Sequence, residues 1–263
     1  MKYSFLSLLL LFVLAAQAQP ADYSLYRKQW LIQDGDTLPY RVLLPEQYDS
    51  SRAYPLVVFL HGRGESGLDN EKQLVHGARL FLTDSFRRQY PAIVVFPQCP
   101  PDNYWSNVQA ITKEQKNGKR EFYFRKGGEP TRAMRLLMGL TENLQVRFKT
   151  DTKRIYVMGL SMGGMGTFEL VRRMPGVFAA AIPICGGAHP DTAPALKGTA
   201  WWIFHGLKDE VVLPVYSQQM AGALQTAGAR IRLTLYPDAN HNSWDPAFRE
   251  AGLMKWLFSQ RRK

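Results

Sequence analysis

Apolar residues in this chain gather in short continuous runs rather than in alternation. The runs are Leu56–Leu60 (LVVFL), Ala92–Phe96 (AIVVF), Ile155–Met158 (IYVM), Ala179–Ile184 (AAAIPI), Trp201–Phe204 (WWIF) and Ile231–Tyr236 (IRLTLY). Rich in β-branched and aromatic residues, they predict strands covered on both faces, as in a parallel sheet. Two earlier segments, Leu25–Ile32 and Leu38–Leu44, flank Asp34-Gly35-Asp36 and predict a β-hairpin. Between the runs, helix-like patterns cover Glu71–Phe81, Thr131–Phe148, Met165–Met174, Val215–Ala227 and Pro246–Phe258. This alternation predicts an α/β fold with a mostly parallel central sheet flanked by helices on both faces. Neither a repeat nor a linker interrupts it, so residues 19–263 read as one domain.

Two stretches break the rhythm. The first is the amino terminus, where Lys2 precedes the apolar run Phe5–Ala16 and Ala16-Gln17-Ala18 has the small residues of a cleavage site. Residues 1–18 therefore read as a signal peptide, and the mature protein is expected in the periplasm or secreted. The second is Asn107–Pro130, a segment rich in Lys and Arg around Glu121-Phe-Tyr-Phe-Arg125. Its pattern suits a hairpin turning at Lys116-Asn117-Gly118-Lys119, and two readings stand side by side: a flap near the substrate, or a solvated surface insertion.

Composition narrows the classes further. Hydrophobic residues make up 46% of the chain, enough for a large core. The net charge of +11 drops to +10 without Lys2. That excess suits either solubility or anionic surfaces. No nucleic-acid-binding signature is present, and no later run is long enough for stable membrane insertion.

The chemistry centres on Gly159-Leu-Ser161-Met-Gly163-Gly164, placed directly between the IYVM strand and the helix MGTFELVRRM. A strand–turn–helix around Gly-x-Ser-x-Gly presents its serine above the sheet on a strained turn, with glycines where strand and helix approach. A serine hydroxyl needs a base and an orienting acid. Both follow in order, each just past the end of a strand: Asp209 in His205-Gly-Leu-Lys-Asp209-Glu, and His241 in Asn240-His241-Asn242. Glu210 and Asp238 are rival acids, Asp238 lying too close to the histidine loop for the usual order. The glycine-rich loop His61-Gly-Arg63-Gly-Glu-Ser-Gly67 follows the LVVFL strand and can supply backbone N–H donors. With Met162, Arg63 is the candidate pair for an oxyanion hole.

These motifs (LHGRGESG, FPQCP, GLSMGG, PICGG, FHGLKDEVV and HNSW, spread over residues 60–244) resemble the α/β-hydrolase superfamily. Within it, the chain is similar to bacterial secreted esterases of the polyhydroxybutyrate depolymerase, feruloyl esterase and "predicted peptidase" type. The resemblance implies carboxylic-ester hydrolysis by a Ser161–His241–Asp209 triad through an acyl-enzyme, with Arg63 and Met162 as oxyanion donors and no cofactor. The expected partner is a small-molecule or polysaccharide-linked ester, with feruloyl or acetyl groups as the family-level expectation. A peptidase-like hydrolase and a silent carbohydrate-binding module are the competing readings.

Remaining residues are weighed by setting. Tyr104, Trp105 and Trp244 fall in loops expected at the rim, where they could stack on a ring of the substrate. His61 is expected to shape the oxyanion loop, His205 to be packed and hydrogen-bonded, and His76 and His189 to be structural. No histidine pair has metal-ligand spacing, so no metal is implied. In the superfamily's strand order, Cys99 and Cys185 end strands three spacings apart, about 14 Å, too far for a disulfide. Both are expected to be free and buried.

Overall fold

The computed structural model describes residues 22–112 and 120–263. The signal-peptide reading and the Lys116–Lys119 turn lie outside these residues. Among the described residues there are ten strands: β1 (Arg27–Gln33), β2 (Asp36–Leu43), β3 (Tyr54–Leu60), β4 (Ile93–Pro97), β5 (Val108–Thr112), β6 (Arg120–Phe124), β7 (Thr150–Leu160), β8 (Ala180–Ile184), β9 (Ala200–Gly206) and β10 (Arg230–Tyr236). Eight form one sheet in the order β1-β2-β4-β3-β7-β8-β9-β10, while β5 and β6 pair separately. β1, β2 and β4 pair antiparallel, and every pairing from β4 through β3 to β10 is parallel.

The apolar runs become these strands because the sheet is covered on both sides. Along β3, Leu56, Val58 and Leu60 enter one core, and Val57 and Phe59 the other. The first core packs α3 (Arg132–Arg147) and α6 (Pro214–Thr226), with part of α4 (Met162–Arg173). The second packs α1 (Ala78–Leu82), α2 (Asp84–Gln89), α7 (Trp244–Phe248) and α8 (Leu253–Ser259). Each fully buried side chain of this kind contributes roughly 1.5–3 kcal/mol, so β3 at the centre of the sheet is a major anchor. The β1–β2 hairpin turns on Asp34 and Gly35, both at positive φ (53° and 80°), as a two-residue turn requires.

The helical expectations need correction in two places. Glu71–Phe81 is not one helix: a single 3-10 turn at Lys72–Leu74 is followed by Gly77 at φ 83°, and α1 starts after it. Pro246–Phe258 is likewise split into α7 and α8 by Gly252 at φ 80°. Left-handed backbone ends a helix regardless of the apolar period that continues across it. A further short helix, α5 (Ala193–Leu196), has too few residues for its apolar period to predict it.

β4 and β8 are separated by β3 and β7, and Cys99 and Cys185 are both free and buried. Among the described residues no helix is long and apolar enough to cross a membrane.

Candidate active site

The turn between β7 and α4 sets the site. Ser161 adopts φ 54° and ψ −116°, outside the ordinary regions for a non-glycine residue. Such strain costs about 1–3 kcal/mol and persists only where the surroundings enforce it. Here the enforcement comes from close packing. A Cβ on Gly163 would strike the carbonyl oxygen of Leu60 and lie 2.7 Å from that of His61; one on Gly159 would lie 2.5 Å from the Gly163 oxygen. Backbone atoms cannot yield as side chains do. Gly163→Ala should therefore lower the melting midpoint by roughly 10 °C. A variant melting with the parent would contradict this account of the turn.

Ser161 Oγ lies 2.9 Å from Nε2 of His241, and His241 Nδ1 lies 2.8 Å from Oδ2 of Asp209. The loops carrying the acid and the histidine touch because Gly206 ends β9 without a side chain. A Cβ there would collide with the carbonyl oxygens of Ala239 and Asn240. Asp209 is buried, and its Oδ1 accepts the N–H groups of Val211 and Val212 at 2.9 and 3.0 Å. Burial pushes its carboxyl up, but hydrogen bonds from His205, His241 and Val212 outweigh that and hold it well below the usual carboxylate range. Of the rival acids, Asp238 is paired with Lys208 at the surface, at 2.7 Å, and Glu210 is exposed.

His205 does more than pack. Its Nε2 lies between two acceptors, Val212 O at 2.8 Å and Asp209 Oδ2 at 3.2 Å, so it carries the proton. Its Nδ1 faces Ser217 Oγ at 2.7 Å, and that hydroxyl lies 3.0 Å from Gly186 O. One oxygen of Asp209 thus meets two imidazoles. The sequence signal was available, since His205 and Asp209 share one short loop, but nothing in it said which side chains face each other.

The glycine-rich loop forms a single 3-10 turn, Arg63–Glu65. His61 underpins it: Nδ1–H donates to Gly62 O at 2.6 Å, and Nε2 accepts the Cys99 N–H at 2.9 Å. The Arg63 guanidinium is fastened to the carbonyls of Pro101 and Asn103 at 2.6 and 2.7 Å. Met162 opens α4, so its N–H is among those a helix leaves without an internal acceptor. Burial pushes the His61 imidazole down from 6.5 to about 4. The unfolded chain then takes up this proton first, so the stability tied to neutral His61 is complete above 6.5 and lost as pH falls toward 4. The loss should reach about 3 kcal/mol. Melting scans between pH 7 and 4 should show the decline in the parent and a flatter profile in His61→Gln; matching profiles would contradict it.

A pocket of about 380 Å³ opens over Ser161 and His241. Tyr104 and Trp244 line it, as expected, together with Val211, Val212, and Ala110 and Phe122 from the β5–β6 pair. Ala110 and Phe122 are directly opposite in that pair, whose other anchor is Phe124 against Tyr216 of α6, with ring centres 5.2 Å apart. The described part of the 107–130 insertion is therefore a wall of the pocket. Trp105 requires correction: it is wholly buried, its ring 5.5 Å from that of His61 and its Cβ against Gly166, so it supports the loop rather than facing the pocket. His76 needs the opposite correction, since it lines the pocket and packs on Trp244 at 5.1 Å. A larger depression, about 460 Å³, lies at the amino ends of the strands, away from Ser161.

Cys185 Sγ, one Asp209 oxygen and one His241 nitrogen lie within 4.8 Å of one another. Burial pushes the Cys185 thiol well up, which disfavours the thiolate a metal would need.

Comparison with known proteins shows what the chain as a whole is similar to. A thermostable esterase matches with a TM-score of 0.79 at 32% identity, over 91% of this chain and 64% of that one. The chain thus spans just under two thirds of that protein's length. A ferulic acid esterase matches with a TM-score of 0.63 at 15% identity, over 89% of this chain and 97% of that one. The Pyrococcus horikoshii acylaminoacyl peptidase matches at 0.57 and 15%, over 90% and 42%. At such identities the last two show a shared fold alone. No curated protein matches the chain. The model of the dienelactone hydrolase family matches residues 71–248, a span that includes Ser161, Asp209 and His241. The chain belongs to the dienelactone hydrolase family, with the α/β-hydrolase fold.

Proposed function

We propose that the protein hydrolyses carboxylic esters through Ser161, His241 and Asp209. The observation that carries this reading is the unbroken hydrogen-bond chain from Ser161 Oγ through His241 to Asp209, at 2.9 and 2.8 Å, opening on a pocket. His241 Nε2 takes the Ser161 proton as Oγ attacks the ester carbonyl, while Asp209 holds Nδ1–H and stabilises the imidazolium that forms. The N–H groups of Met162 and Arg63 receive the developing oxyanion, a contribution of about 2.7–4 kcal/mol per donor. His241 then protonates the leaving alcohol. Water activated by the same imidazole releases the acid from the acyl-enzyme.

The apolar and aromatic lining supports a small or aromatic acyl group, and feruloyl or acetyl esters of plant polysaccharide are the substrates we propose to test first. Export to the periplasm or beyond, by a cleaved signal peptide, belongs to the same reading. A fluorophosphonate probe should label the folded protein at Ser161, and turnover of methyl ferulate, acetylated xylan and short-chain esters should exceed that of peptide amides. A folded protein that takes no label would instead be a binding module, and preferential amide cleavage would make it a peptidase.

A further inference from the structure

Glu65 stands in the pocket over Ser161, and none of the steps above uses it. Its side chain is only 14% exposed. Its Oε2 lies 3.0 Å from the point a Cβ on Gly62 would occupy, and Cβ of Ser161 lies 3.7 Å from that same point. The carboxylate is thus beside the nucleophile, on the loop proposed to hold the acyl oxygen. Among the described residues, its nearest charge-bearing partner is His76 Nε2 at 3.7 Å, beyond hydrogen-bonding distance. The guanidinium of Arg63, two residues earlier, is directed at Pro101 O and Asn103 O instead.

A carboxylate largely removed from water without a donor is costly, and the cost is offset only when a donor or an opposite charge arrives. Apart from Arg63, His76, Ser161 and His241, the other side chains lining the pocket are apolar or aromatic, among them Leu160, Tyr104, Phe122, Val212 and Trp244. A hydroxyl would satisfy one lone pair. A cationic amine would satisfy the hydrogen bond and balance the charge. Aromatic faces also tolerate a cation, through their negative quadrupole. With the carbonyl carbon at Ser161 Oγ, an amine on the neighbouring acyl carbon is the cation that would sit closest to a carboxylate beside the nucleophile.

We infer that the pocket is selective for esters whose acyl part carries a cationic α-amine, with Glu65 as its acceptor. This rests on the ester-hydrolase reading above and sharpens it to a substrate class.

The test is an isosteric series: L-alanine ethyl ester, ethyl L-lactate and ethyl isobutyrate, which place an ammonium, a hydroxyl and a methyl at one position. At about pH 6.5 the α-amine is protonated. The parent should favour the alanine ester over the isobutyrate in kcat/KM by on the order of tenfold or more beyond the ratio of their rates with hydroxide. In Glu65→Gln that ratio should fall by about tenfold, toward the ratio of the two esters' rates with hydroxide, whatever happens to the absolute rates. In the parent alone, L-alaninamide should inhibit isobutyrate turnover competitively and isobutyramide should not. A lactate ester favoured as strongly as the alanine ester, a ratio that survives Glu65→Gln, or equal inhibition by the two amides would each overturn the inference. If none of the esters is turned over and Ser161 takes no fluorophosphonate label, the hydrolase reading itself fails.

Discussion

Alanine in place of Ser161 should lower p-nitrophenyl acetate turnover by about 10⁴-fold or more and abolish fluorophosphonate labelling, with the fold intact. The size follows from the covalent step: without Oγ no acyl-enzyme forms, and only the oxyanion donors and binding remain. Retention of the fold follows from the backbone. Alanine keeps the Cβ that already fits at φ 54°, and Ser161 N–H still donates to Ile184 O at 2.9 Å. Circular dichroism and a melting scan run with the rate assay separate the two effects. Parent-like turnover in a folded Ser161→Ala protein would dismiss the mechanism outright.

The second large effect is expected at Asp209. Asparagine is nearly isosteric, so the loop built on the Val211 and Val212 N–H groups should persist. The amide nitrogen, however, would face His241 Nδ1 as a donor. His241 would turn to the tautomer with its proton on Nε2, where it cannot take one from Ser161. A fall of about 10⁴-fold in kcat is expected, with KM much less affected. His205→Asn should be far milder, since it removes only the weaker of the two imidazole contacts on that oxygen, at 3.2 against 2.8 Å. The folded-state carboxyl of Asp209 lies below its unfolded value of 3.8. Its ionised form therefore stabilises the fold above that value, and the contribution is lost as pH falls through the folded value. Asp209→Asn should melt lower than the parent at pH 7 and lose this acid-dependent component. Equal kcat in Asp209→Asn and the parent would remove Asp209 from the mechanism.

The parts of the site that were legible in the sequence share a cause. Gly159, Gly163 and Ser161 act within one turn, where local spacing dictates which atoms meet. Asp209 and His241 were found because parallel strands all end at the same edge of the sheet, so chain order maps directly onto spatial neighbourhood. Trp105 was misplaced because a loop aromatic looks the same in sequence whether it faces the pocket or folds under it. Here the hairpin strand β5 begins three residues on, at Val108, and Gly166 leaves the space the indole fills. His76 was missed for the complementary reason. Its segment reads as an ordinary amphipathic helix, and only the break at Gly77 and the arrival of Trp244 from the far end of the chain bring it to the pocket.

The long apolar runs determined the layered α/β architecture by themselves, because a strand without polar alternation is stable only between two layers of helices. The glycine and serine spacing likewise determined a strained elbow. Tertiary structure alone decided the rest: that the 107–130 insertion supplies Ala110 and Phe122 to the pocket, that His205 shares an oxygen with His241, and that Glu65 stands beside the nucleophile with no donor at hydrogen-bonding distance among the described residues. Those outcomes depend on which loops meet above the sheet. Such meetings are set by packing between segments distant in sequence, and local periodicity holds no record of them.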